Sequence, residues 1–207
     1  MPMRLIVAAI CSLALSACSD PKAASEKNFK SAIQAFLDIE YPRCYVLIKI
    51  PQTLQAKSGD KRLFDALTKA GVLTATESQV EVNMPFKGKQ LESALKYDLT
   101  DEGKKFYRAE VEKRVFGDSV GGLCFGKATV TEITNFTEPA DIFGVKVSRV
   151  QYGYAVSALP AWSKSTELLA LYPQLKADVE SEAKPVKAIA GVVLTHNGWM
   201  HEKLFSR

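Results

Sequence analysis

The chain is short of the residues from which catalytic and metal sites are most often built. Of its 207 residues, two are histidine, four cysteine and two tryptophan. His196 and His201 stand five apart, whereas a helix aligns imidazoles at spacings of three or four. Glu202 adjoins the second, so a zinc site can be drawn. Two surface histidines beside Trp199 are the simpler reading, and we expect neither metal nor cofactor. No P-loop and no His-Glu-x-x-His stretch occurs. Glu138 and Asp141 are the residue types of a general acid–base pair, yet they flank Pro139 in a segment that reads as a turn. Nothing in the pattern assembles a nucleophile, a base and a group to orient it. Long apolar runs are missing as well. Beyond the first 17 residues none approaches the ~20 that a membrane-spanning helix needs. With 12 Gly, 9 Pro, 47% hydrophobic and 24% charged residues, the composition excludes a collagen-like, a disordered or a multi-span membrane chain.

What is present begins with an address. Met1-Pro2-Met3-Arg4 gives a positive start, Leu5 to Leu15 an apolar stretch, and Ser16-Ala17-Cys18-Ser19-Asp20 a small, polar end, the order of a secretory signal. Leu15-Ser16-Ala17-Cys18 resembles the lipobox of bacterial lipoproteins. The resemblance implies cleavage before Cys18, a diacylglyceryl group on its thiol and an acyl chain on the new amino terminus. Each buried CH₂ is worth about 0.8 kcal/mol, so three such chains anchor durably. It also implies a place in the bacterial cell envelope. Ser19, rather than an aspartate after the cysteine, points by the lipoprotein sorting pattern to the outer membrane, with the body facing the periplasm. Residues 1–17 would be the signal peptide and 18–25 a short tether. Cys11 then leaves with the signal and Cys18 carries lipid. Cys44 and Cys124 remain, in a compartment where two such thiols are expected to pair. Cys124 has a second reading, as a thiol nucleophile approached through Gly121-Gly122-Leu123-Cys124-Phe125-Gly126.

In the body, Ser25 can cap a helix whose Phe29, Ile33, Phe36 and Leu37 share one face, stopped by Pro42. Cys44 to Ile50 is rich in β-formers and ends at Pro51. A second helix, Lys61 to Ala70, turns Leu63, Phe64, Leu67 and Ala70 inward and closes on Gly71. Val80 to Met84 and Leu95 to Leu99 read as a hairpin, after which Thr100 caps a helix with acidic residues in its first turn. Leu67 to Leu73, the hairpin, and Tyr97-Asp98-Leu99-Thr100-Asp101-Glu102-Gly103-Lys104 resemble the helix–wing–helix signature of winged-helix regulators. In that family the helix matching Lys61 to Ala70 enters a DNA groove. Here it sets Lys61, Arg62 and Lys69 against Asp60 and Asp65, a poor footprint for phosphate. Export also removes the chain from the nucleoid, so we expect a winged-helix-like unit that binds no nucleic acid.

Gly117 to Gly122 offers a boundary between this winged-helix-like αβ unit (26–116) and a β-rich unit (117–207) built on a bent antiparallel sheet. A Cys44–Cys124 bridge would staple the two together. Lys127 to Ile133 reads as a strand and Asn135 to Asp141 as a turn. Val145 to Val156 is a long strand whose alternation slips at Ser148-Arg149, the mark of a bulge. Thr166 to Tyr172 is helical, a polar segment follows to Pro185, and Val186 to Thr195 is the last strand. Leu99-Thr100-Asp101-Glu102-Gly103 and Leu194-Thr195-His196-Asn197-Gly198 echo one another, which a shared strand-to-cap turn explains.

The charge is lopsided. Without Arg4, 26 basic residues oppose 23 acidic ones; residues 41–114 carry +4 and residues 115–207 balance to zero. Lys104, Lys105, Arg108, Lys113 and Arg114 form a candidate patch for an anionic partner, or else a solvated helix face interleaved with Glu110 and Glu112. Tyr41, Tyr45, Tyr152, Tyr154 and Trp162 are either core residues or aromatic anchors for a partner. The sequence thus predicts an α+β protein held by one disulfide, lipid-anchored to the envelope membrane, not an enzyme, and working by binding another protein. An accessory subunit of an envelope assembly and an immunity protein against an exported toxin both fit. The competing class is a periplasmic hydrolase using His196 or His201 with a carboxylate.

Overall fold

A computed structural model describes residues 20–113 and 119–205. Cys18 and Arg114 lie outside the described residues, as does the side chain of Lys113. Ser25 opens α1 (Glu26–Glu40), its hydroxyl accepting the Asn28 amide at 3.3 Å. The face that is buried is the expected one, Phe29, Ile33, Phe36 and Leu37, with Ala32 between them. The chain continues as β1 (Arg43–Ile48), β2 (Gln52–Gln55), α2 (Lys61–Lys69), β3 (Leu73–Met84), β4 (Gly88–Leu99), α3 (Asp101–Phe106), β5 (Tyr107–Lys113) and β6 (Ser119–Phe125). There follow β7 (Lys127–Phe136), β8 (Ala140–Ile142), β9 (Val145–Ser157), a 3-10 turn (Ala161–Lys164), α4 (Thr166–Leu171), α5 (Pro173–Glu180), β10 (Val186–Thr195), β11 (Gly198–His201) and α6 (Glu202–Phe205).

Every strand pairing is antiparallel, and the strands form three sheets: β1-β6-β5, β2-β4-β3, and β11-β10-β9-β7 with β8 beside β9. Helix α1 lies across β7, β10 and β11 and supplies the apolar stripe that covers the third sheet. The protein is therefore α+β. One buried cluster runs from Phe29 and Val46 through Leu67, Tyr97 and Leu123 to Val150, Leu175 and Val192, so elements from both ends of the chain share a core. Within it Phe125 meets Tyr45, Phe106 and Trp162 ring to ring.

Cys44 and Cys124 stand opposite one another on β1 and β6 and are joined in a disulfide across 80 residues of chain. A bonded sulfur cannot attack, so the nucleophile reading of Cys124 is set aside. Gly121 and Gly122 are buried inside β6, the central strand of the first sheet. A Cβ at Gly121 would lie 2.2 Å from the Tyr107 hydroxyl and 2.8 Å from the Arg108 carbonyl, so only glycine lets β5 approach. Gly126, at φ +90, turns the chain straight from β6 into β7 and thus from the first sheet into the third.

Four local expectations need correction. The helix after Thr100 is short, and the chain becomes strand β5 at Tyr107, so Arg108 does not share a helix face with Lys104 and Lys105. Strand β9 keeps an unbroken register with β10; the bulges lie on β7, at Val130/Glu132 and Ile133/Asn135. The apolar pattern slips because Ser148 takes a core-facing position, its hydroxyl donating to the Thr137 carbonyl at 2.7 Å. The polar stretch before Pro185 contains α5, opened by Pro173 at a position where the missing N–H costs nothing. The two Leu-Thr-x-x-Gly segments differ in structure. Thr100 caps α3 by accepting the Gly103 amide, whereas Thr195 organises the β10–β11 turn by donating to the Gly198 carbonyl.

Replacing Cys44 and Cys124 together by Ala should lower the unfolding free energy by up to about 4–5 kcal/mol, the chain-entropy value for a loop of this length. The urea midpoint should fall while the far-UV circular dichroism stays native; an unchanged midpoint would contradict a stabilising bridge.

Candidate functional site: an exposed hairpin arm

One polar residue of the interior is held by several partners. Asp178 is completely buried on α5. Its Oδ2 accepts the Tyr41 hydroxyl at 2.7 Å and the Tyr45 hydroxyl at 2.6 Å, and its Oδ1 accepts the Gln174 amide at 2.9 Å. An Arg43 guanidinium nitrogen stands 3.6 Å from Oδ2. The carboxylate is thus paired and hydrogen-bonded, as a buried charge must be. Burial above all, with the mutual charge of the cluster, holds the Tyr41 and Tyr45 phenols protonated well above their ordinary range. This brace ties the end of α1 and strand β1 to α5. Tyr152, Tyr154 and Trp162 are buried as well, so all five aromatic candidates for partner anchors are core residues.

The two histidines do not meet. His196 is exposed in the β10–β11 turn, whereas His201 is buried three residue pairs along the hairpin, opposite Val192. The His201 ring stacks on Phe36 with centroids 3.8 Å apart. Its Nδ1 accepts the Lys203 backbone N–H at 3.1 Å, which places the proton of the neutral ring on Nε2. Burial pushes its pKa below the ordinary 6.5, Lys203 lowers it further, and Glu202 and Glu40 oppose the shift. Among the described residues no three His, Cys, Asp or Glu side chains gather in a way that could hold a metal ion. Glu138 and Asp141 are exposed, the latter on β8.

Gly117-Asp118-Ser119-Val120-Gly121 has the Gly-x-Ser-x-Gly form. In a nucleophile elbow the serine sits on a strand-to-helix turn. Ser119 instead opens strand β6, where with Asp60, Lys49 and Val120 it lines a cleft of about 440 Å³. Both histidines lie on the hairpin of the third sheet, so neither shares this cleft with the serine. The basic patch also divides. Lys104 pairs with Asp101 at 2.8 Å and Lys105 with Glu102 at 2.6 Å on α3, while Arg108 is exposed on β5.

The unusual surface feature is the β3–β4 hairpin. Its strands pair without interruption from Leu73↔Leu99 to Met84↔Gly88. Strand β2 covers β4 only from Ala94 to Tyr97. Among the described residues no further strand pairs with the hairpin beyond Ser78 and Ala94, which leaves a two-stranded ribbon some six residue pairs or about 20 Å long. At its tip Phe86 is fully exposed with φ +67, and Leu91 is two-thirds exposed. A Lys89–Glu81 pair at 2.6 Å crosses the ribbon. At its root a cleft of about 590 Å³ is lined by Lys61, Glu77, Gln79, Ser93 and Leu95. Such a ribbon offers two rows of backbone donors and acceptors and an apolar tip, the features by which one chain adds a strand to another. The sequence carried one clue, an apolar residue within the turn Met84-Pro85-Phe86-Lys87-Gly88, but it does not report exposure.

Compared with family models, with curated proteins and with solved structures, the chain finds no match.

A buried imidazole with a lowered pKa resists a proton that the unfolded chain accepts. Its contribution to stability is present above pH 6.5 and is lost as pH falls through the folded value. His201→Gln should flatten the fall in melting temperature as the pH drops below 6.5; an acid limb identical to that of the parent chain would contradict this.

Proposed function

We propose that the chain is a lipoprotein of the bacterial cell envelope, cut before Cys18 and lipidated there, whose body is a non-catalytic module that binds a protein partner through the β3–β4 arm. The observation that carries the reading is the arm itself: a ribbon whose edges no other described strand pairs with and whose aromatic tip is fully exposed, on a body whose Tyr41, Tyr45, Tyr152, Tyr154 and Trp162 are buried. In winged-helix terms, α2, the β2-β4-β3 sheet and α3 form the winged-helix-like unit and the arm is its wing. The helix that would read DNA is unsuited to the task. Lys61 is paired with Asp65 at 2.5 Å and Lys69 with Glu167 of α4, so phosphate would have to displace carboxylates. Against the hydrolase reading, His201 is buried with its ring stacked on Phe36 and its Nδ1 already accepting the Lys203 N–H, which leaves it poorly placed to serve as a base. Outer-membrane attachment facing the periplasm puts the arm where a subunit of an envelope assembly, or an exported toxin held by its immunity protein, can reach it.

A photo-crosslinking side chain at position 86 or 91, introduced in living cells, should join the protein to one discrete partner, while the same group at exposed Lys127 should not. Phe86→Ser should weaken binding of that partner by roughly tenfold or more, the weight of a central aromatic anchor. Equal adducts from all three positions, or full affinity in the Phe86 variant, would contradict the arm as the binding element.

A further inference from the structure

We propose that the β8–β9 tip, Ile142-Phe143, is a second membrane contact that enters the headgroup region of the leaflet holding the lipid anchor. The inference rests on lipidation at Cys18 and extends it to the posture of the body. The chain's first described residues are held at one place. The Trp199 indole N–H donates to the Lys22 and Ala23 carbonyls, each at 3.1 Å, and Trp199 meets Phe29 edge to face. Pro21 lies against Gly198, where a Cβ would stand 2.9 Å from its carbonyl oxygen. Cys18 is three residues before Pro21, so at most about 11 Å of chain separates it from the residue that lies against the β10–β11 turn. Acyl chains on Cys18 would thus bring that end of the third sheet down to the lipid surface.

Strand register places the β8–β9 tip at the same end. Val193 pairs with Val147 across antiparallel β10 and β9, which carries Thr195 alongside Val145. Thr195 pairs with Gly198 to close one hairpin through His196-Asn197. Ile142 pairs with Val145 to close the other through Phe143-Gly144. The two turns therefore stand at the same level, and β11, β10, β9 and β8 follow one another in that order. At about 4.8 Å per strand, Phe143 lies roughly 10–15 Å from the point where the chain leaves the body.

The chemistry of the tip fits the lipid surface. Phe143 is fully exposed at φ +51, followed by Gly144 at φ +80, and Ile142 is half exposed. Left-handed turn positions favour Gly, Asn or Asp, so nothing in the turn calls for an aromatic ring. Exposed Lys146 and Lys22 flank the same end, each with an exposed aspartate beside it, Asp141 across the strand and Asp20 on the Lys22 amide, and Trp199 is partly exposed there. Apolar and aromatic groups among lysines are the set that settles at a bilayer interface. Phe86 has the same exposure at the arm tip, but no register ties that tip to the exit of the chain.

The test uses the full-length protein purified from membranes and placed in vesicles of phosphatidylethanolamine and phosphatidylglycerol with brominated acyl chains. Emission from Phe143→Trp, above that of the parent chain, should be quenched by these lipids; emission from Phe86→Trp should not. Intact mass on the same sample reports the lipid at Cys18. Full lipidation without extra quenching at position 143, or equal quenching at 86 and 143, would overturn the membrane contact alone. An unlipidated Cys18 would overturn the anchoring on which it rests.

Discussion

The way the chain enters its body governs much of what this protein can do. One indole N–H, on Trp199, bonds to two successive carbonyls of the entering segment, and Asn28 binds the carbonyls of Asp20 and Ala23 from the first turn of α1. These bonds join the first described residues to the last hairpin. They fix where α1 begins, and therefore which side of the third sheet its apolar stripe covers. An anchor placed just before this segment would not swing on a loose leash. It would hold one defined end of one sheet against the lipid, and the remaining surfaces would take their places accordingly.

Two buried links make the body behind that entry point stiff. The disulfide crosses β1 and β6, strands from opposite halves of the sequence, and β6 passes through Gly126 directly into the third sheet. The Asp178 brace ties β1 and the end of α1 to α5 with two phenols and an amide. A buried carboxylate so fully served is costly to disturb, since loss of a partner strands a charge away from water. The interior is thus spent on structure. What projects from the body are the β3–β4 ribbon and the tight turns, which carry the exposed Phe86 and Phe143.

Much of this was legible where the signal is local. The apolar stripe of α1, the Ser25 and Thr100 caps, the last long strand and the pairing of the two body cysteines follow from periodicity, from hydrogen-bonding side chains and from counting thiols. Other features depend on distant neighbours. Gly121 and Gly122 read as a linker because sequence does not show that β5 presses against them. Ser148 looked like a break in alternation because its partner, the Thr137 carbonyl, is reached only by folding. Asp178 stood unremarked in a polar stretch, its two tyrosines lying 137 and 133 residues earlier. The exposed Phe86 and Phe143 escaped notice for the opposite reason: apolar residues are presumed inside, and only the fold shows these two outside.

The most direct measurement is the intact mass and N-terminal residue of the mature protein extracted from the membranes of its own cells. The account predicts a chain that begins at Cys18 and carries the mass of a diacylglyceryl group and an amide-linked acyl chain. A chain that still begins at Met1, with no added mass, would contradict it.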